Sequence, residues 1–105
     1  MRHVVITEAG HIRGVLRVNM ALRRGLAEDE RGITLGELAS RDFTVVREST
    51  IAFDVIRRIW AKRAIMAVVV RDGTVAPRAG DVVGVITKEH VADSVADNVA
   101  SYRND

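Results

Sequence analysis

The residues with the most chemical promise lie in the stretch VVGVITKEHVADSV, residues 82–95. Thr87 ends a short β-branched run, Lys88 follows it, and His90 comes three residues later. Hydroxyl, ammonium and imidazole at a strand-to-helix junction suit an anion. The first N–H groups of a helix lack intrahelical partners and point at whatever lies outside the strand end. The same threonine serves equally as an N-cap with no ligand at all, and His90 as a half-exposed residue of the first turn. Other chemistry lacks a residue set. His3, His11 and His90 fall in different elements, and no His/Asp/Glu cluster has metal-ligand spacing. No nucleophile elbow, Walker A loop or dinucleotide fingerprint is present. No paired carboxylates support acid–base work, so no enzymatic activity is expected.

The elements that must position this junction follow from apolar spacing. His3 to Thr7 reads as a buried strand, Glu8-Ala9-Gly10-His11 as a hairpin turn, and Ile12 to Val18 as a second strand. Asn19 is placed to cap a helix over about Met20 to Arg24, with Gly25 as its end. The charged AEDERG segment reads as a linker. Thr34-Leu35-Gly36-Glu37 has capping-box form and starts a helix to Ser40, with Leu35 and Leu38 facing inward. Phe43 to Val46 is extended. Ser49 or Thr50 is placed to cap the longest helix, about Ile51 to Lys62. Its apolar face is Ala52, Val55, Ile56, Ile59 and Trp60, which puts Trp60 in a core or a dimer interface. Arg57, Arg58, Lys62 and Arg63 read as a solvated or docking face. Ile65 to Val70 is a buried strand, Arg71 to Asp81 a loop, and Val82 to Ile86 a strand. The final helix runs to about Ala100, before a frayed 101–105 tail.

Composition narrows the class. The chain has 105 residues, 48% apolar and 29% charged, enough for one globular domain with a modest core. It contains no cysteine, so disulfides and thiolate sites are excluded. A net charge of +2 argues against a dedicated nucleic-acid binder. The longest apolar run, Ala64 to Val70, is far short of the roughly 20 residues of a membrane span. A cytoplasmic polypeptide is the expectation.

The sequence also repeats itself. HVVITEAGHIRGVLRVNMAL is strand, glycine turn, strand, helix, and AVVVRDGTVAPRAGDVVGVITKEHVA has the same order with a longer turn. Val4 matches Val68 and Gly14 matches Gly84. With the glycine-apolar-apolar-Thr turn of GVIT and the TLGELASRDFTVV lead-in, this β-α-β-β-α order resembles the CBS domain. The resemblance implies an α+β fold, a small mixed sheet with helices on one face. It sets an incomplete first motif at residues 1–26, a linker at 27–33 and a complete second motif at 34–100. More narrowly, GVITKEHVADSVAD and ITLGELASRDFTVV resemble the cytoplasmic tails of bacterial CLC-type chloride channels.

That resemblance implies a regulatory, non-catalytic module that forms a homodimer through CBS packing and is attached to a transmembrane channel domain. It also implies a candidate adenine-nucleotide site for AMP, ADP or ATP. By position, Thr87 and Lys88 would meet phosphate, and Thr44, Val45 and Ala67 would frame the base. In the first motif Arg17 takes the threonine position. The ribose-binding carboxylate of such sites is replaced by His90 in one motif and Met20 in the other, which weighs toward an interaction module without ligand.

Overall fold

The computed structural model describes residues 3–27 and 31–93. In chain order the elements are β1 (His3–Glu8), β2 (His11–Arg17), α1 (Val18–Gly25), α2 (Leu35–Leu38), β3 (Phe43–Arg47), α3 (Ala52–Ala61), β4 (Met66–Val70) and β5 (Val82–Thr87). A 3-10 turn at Ala79–Asp81 precedes β5, and residues 88–93 are helical (α4). The expected continuation of that helix to Ala100 and the 101–105 tail lie outside the described residues.

β3, β4 and β5 form a mixed sheet with β4 in the middle. β3 and β4 are parallel, and β4 and β5 antiparallel. The parallel pair requires a crossover, which α3 supplies. β4 is covered on both faces, as its unbroken apolar run demands: Met66, Ala67, Val68 and Val70 are all fully buried. On one face Val46 and Ala67 pack with Val55 and Ile59 of α3 and Val91 of α4. On the other, Met66, Val68 and Val70 pack with Val15 of β2 and with half-buried Val5 and Ile12. The second layer is therefore the antiparallel β1–β2 hairpin. The fold is α+β, helices on one face of the mixed sheet and a two-stranded sheet on the other. Strand, strand and helix recur in the same order in a first unit, β1-β2-α1, and a second, β4-β5-α4.

Two glycines are needed for this arrangement. Gly10 (φ 81°) and Ala9 (φ 53°) both take left-handed backbone at the hairpin tip, as a tight primed turn requires. Gly14 lets the chain after α2 come close. A Cβ on it would lie 2.9 Å from the Ala39 Cβ and 3.0 Å from the Ser40 carbonyl oxygen. There Ser40 pairs with Val15, through N–H···O bonds of 2.7 and 2.9 Å.

Several local expectations are corrected. Asn19 does not cap α1: the helix starts at Val18, the N-cap is Arg17, and no side chain caps it. α2 ends at Leu38, because Ser40 leaves to pair with β2, and Leu35 is 58% exposed and does not face inward. Thr34 caps α2 as expected, accepting from the Glu37 N–H at 3.2 Å. Neither Ser49 nor Thr50 caps α3, whose N-cap is Ile51. Both hydroxyls are used elsewhere: Ser49 donates to Asp72 at 2.8 Å, and Thr50 accepts from the Arg47 N–H at 3.1 Å. Trp60 is not core. It is 54% exposed, since it stands at the edge of the α3 face centred on Val55 and Ile59.

Candidate functional site

β5 ends at Thr87 because its side chain turns the strand into α4. Thr87 is fully buried, and its Oγ1 accepts from the His90 N–H at 3.1 Å. His90 answers: its Nδ1 accepts from the Thr87 N–H at 3.3 Å. This is the reciprocal geometry of a capping box, with histidine in the place usually held by Glu or Gln. For Nδ1 to accept, it must carry no proton. The Lys88 N–H donates to the Ile65 carbonyl oxygen at 3.1 Å. The N–H groups of residues 87, 88 and 90 are thus all engaged within the chain. The Lys88 ammonium lies 4.8 Å over the Trp60 ring, a cation–π contact on the exposed side.

Arg17, at the matching junction of the first unit, is brought to the second. It forms an ion pair with Glu89, and its other terminal nitrogen lies 3.8 Å from the Met20 sulfur. His3, at the start of β1, meets the His90 ring edge-on with centroids 6.1 Å apart. Burial holds the His3 imidazole below its ordinary pKa; Glu89 works against this, and His90, Arg17 and the amino terminus reinforce it. Among the described residues, the buried side-chain atoms without a hydrogen-bond partner are His3 Nε2, Arg17 Nε and Glu89 Oε2. They belong to this one cluster.

Of the residues singled out in the sequence, Arg17, Thr87 and His90 converge here. Lys88 adjoins them, but its charge points to Trp60. Thr44 and Ala67 stand opposite each other on β3 and β4, buried on the face below α3. Val45 faces the other way, toward the hairpin. Glu89 had not been singled out, and His3, set apart from His90 by sequence, is brought against it by the fold. An acidic residue in a helix first turn is a legible signal, but its arginine partner lies in the other half of the chain.

Two cavities flank the first unit. One of about 240 Å³ is lined mainly by Val15, Leu16, Met20, Ala21 and Leu38, with Arg17 and Arg24 at its polar side. It falls below the roughly 300–1,000 Å³ of ordinary ligand pockets. The other, about 540 Å³, lies between the hairpin and α2 and is lined by Glu8, Arg13, Thr34, Glu37 and Arg41 among others. Arg13 and Glu8 there already pair at 3.0 Å.

Several solved structures superpose on this chain over most of its length. A CBS domain of a bacterial CNNM/CorC family Mg2+ transporter, solved with an inhibitor, superposes with a TM-score of 0.60 at 22% identity, over 87% of this chain and 53% of that one. The chain has the CBS-domain fold. A hemolysin-like CBS protein of Oenococcus oeni PSU gives 0.59 at 22% identity, over 87% and 62%. Staphylococcus aureus OpuCA gives 0.55 at 20% identity, over 91% and 73%. The CBS-fold chain thus spans between about half and three quarters of these neighbours. No family model matches the sequence, and no curated protein matches it. Among the described residues no helix is long and apolar enough to cross a membrane.

Proposed function

We propose that this CBS-fold chain is a regulatory interaction module without catalysis, acting through the packing of its two units and through self-association. The observation that carries this reading is the state of the Thr87 junction. A phosphate site needs free N–H groups and uncommitted positive charge. Here the N–H groups of Thr87, Lys88 and His90 have partners within the chain, and Arg17 is paired with Glu89. The Glu89 carboxylate would repel a phosphate directly. Self-association is supported by the apolar side chains left exposed on α1 and α2: Met20 (57% exposed) and Leu22 (58%) on α1, and Leu35 (58%) on α2. The likeness to a Mg2+ transporter's CBS domain supports a transport protein as parent. A chloride-channel parent rests on the sequence resemblance alone, so no cargo is assigned, and a cytoplasmic location goes with the parent.

The experiment pairs calorimetry with light scattering. The expected result is a dimer, with no heat and no thermal shift on adding AMP, ADP or ATP. A monomer at all concentrations would remove the self-association reading. Saturable nucleotide binding that is lost in Thr87→Ala would establish the alternative, an adenine-nucleotide sensor.

A further inference from the structure

We propose that the junction of the two units is an acid-sensitive latch, held shut by neutral His90 and opened by its protonation. This does not depend on whether the chain binds a nucleotide or dimerises. Two bonds join Thr87 and His90, and one of them needs an unprotonated Nδ1. The imidazole is exposed, so protons reach it from solvent. A proton on Nδ1 replaces the acceptor with a donor aimed at the Thr87 N–H. It also adds a cation in the first turn of α4, where the helix dipole disfavours one.

The charged and titratable groups packed around it come from three elements. β1 contributes His3, whose ring meets that of His90 at 6.1 Å. The end of β2 contributes Arg17, and α4 itself contributes Glu89, Lys88 and, three residues beyond His90 along the same helix face, Asp93. The Glu89 carboxylate is held by Arg17. Lys88 is turned to Trp60. His3 acts in the same direction as His90. Folding keeps it neutral, below its ordinary value of 6.5. The unfolded chain therefore takes up the proton more readily. His3's contribution to stability is complete above 6.5 and is lost as pH falls from there through the lower folded value. Both histidines thus act at one place on acidification: His90 holds the start of α4, and His3 of β1 packs against that imidazole. The three unpartnered buried atoms of this cluster mark it as the least satisfied polar contact among the described residues.

The test uses the full chain. His90→Gln retains a capping-box acceptor that does not titrate. Thermal midpoints are measured for both proteins between about pH 7.5 and about pH 5.5, the range where histidine changes charge. The unsubstituted chain is expected to lose thermal stability over that range, and His90→Gln to lose about half as much or less. His3→Gln, measured alongside, takes out the second contribution. Nitrogen chemical shifts of the His90 ring provide a readout independent of folding and should show the Nε2–H tautomer at neutral pH. A proton on Nδ1 at neutral pH, or equal acid sensitivity in parent and His90→Gln, overturns the proposal.

Discussion

At the scale of single residues, two of the described non-glycine residues stand in backbone regions they do not favour. Ala9 stands at the hairpin tip with φ 53°, and Arg63 follows α3 with φ 51°. Arg63 closes the helix in a Schellman arrangement. Its N–H bonds the Trp60 carbonyl at 3.2 Å, and the Ala64 N–H bonds that of Ile59 at 2.9 Å. Left-handed backbone costs an L-residue roughly 1–2 kcal/mol, offset in part by the greater freedom glycine has when unfolded. Arg63→Gly should therefore stabilise the protein by about 0.5–1 kcal/mol, read as a higher denaturant midpoint with unchanged slope. An unchanged or lower midpoint would mean that the arginine side chain contributes more than its backbone costs.

At the scale of elements, the contact of β2 with the chain after α2 leaves no room for a side chain at Gly14. Gly14→Ala would drive a methyl group into Ala39 and the Ser40 carbonyl. The backbone would have to shift and the Val15–Ser40 pair to loosen. A loss of about 1–3 kcal/mol is expected in chemical denaturation, a cost typical of overpacking. The Ser40 amide should lose protection from hydrogen exchange at the same time. This scale is also where the sequence was most legible. The apolar run from Met66 to Val70 could only be a buried strand. The Ala9-Gly10 turn and the Thr34 cap both stand where their chemistry places them. What was illegible depends on partners distant in sequence. Asn19, Ser49 and Thr50 all have cap-forming side chains, but tertiary pairing moved the helix starts. At the site, the Thr87 cap was readable from its own neighbourhood. The Arg17–Glu89 pair was not, because spacing along a chain carries no information about contact between its two halves. Trp60 fits the apolar period of α3, but periodicity does not say how wide the buried stripe is.

At the scale of the whole molecule, the first unit is fastened to the second at both ends of its hairpin. Arg17 and Glu89 join at one end. At the tip, the Ala79 N–H donates to the Gly10 carbonyl at 2.9 Å, and the Arg78 guanidinium donates to that of Ala9 at 3.2 Å. The residues of that clamp are 69 apart in sequence. Closing so long a loop before other contacts exist is entropically unfavourable. The order of events in folding follows from this. The mixed sheet and α3, whose contacts are shorter in range, are expected to assemble first and the hairpin to be captured late. Arg78→Ala should then leave the refolding rate nearly unchanged and speed unfolding about 2–10-fold, for the loss of roughly one hydrogen bond. A refolding rate that falls in proportion to stability would place the clamp in the transition state. The capture step also sets a hazard. Until the hairpin arrives, the face of Met66, Val68 and Val70 lacks its cover, and in a crowded solution another chain's hairpin fits it equally well. The same two-ended fastening that completes one chain would, if made between two chains, exchange their hairpins.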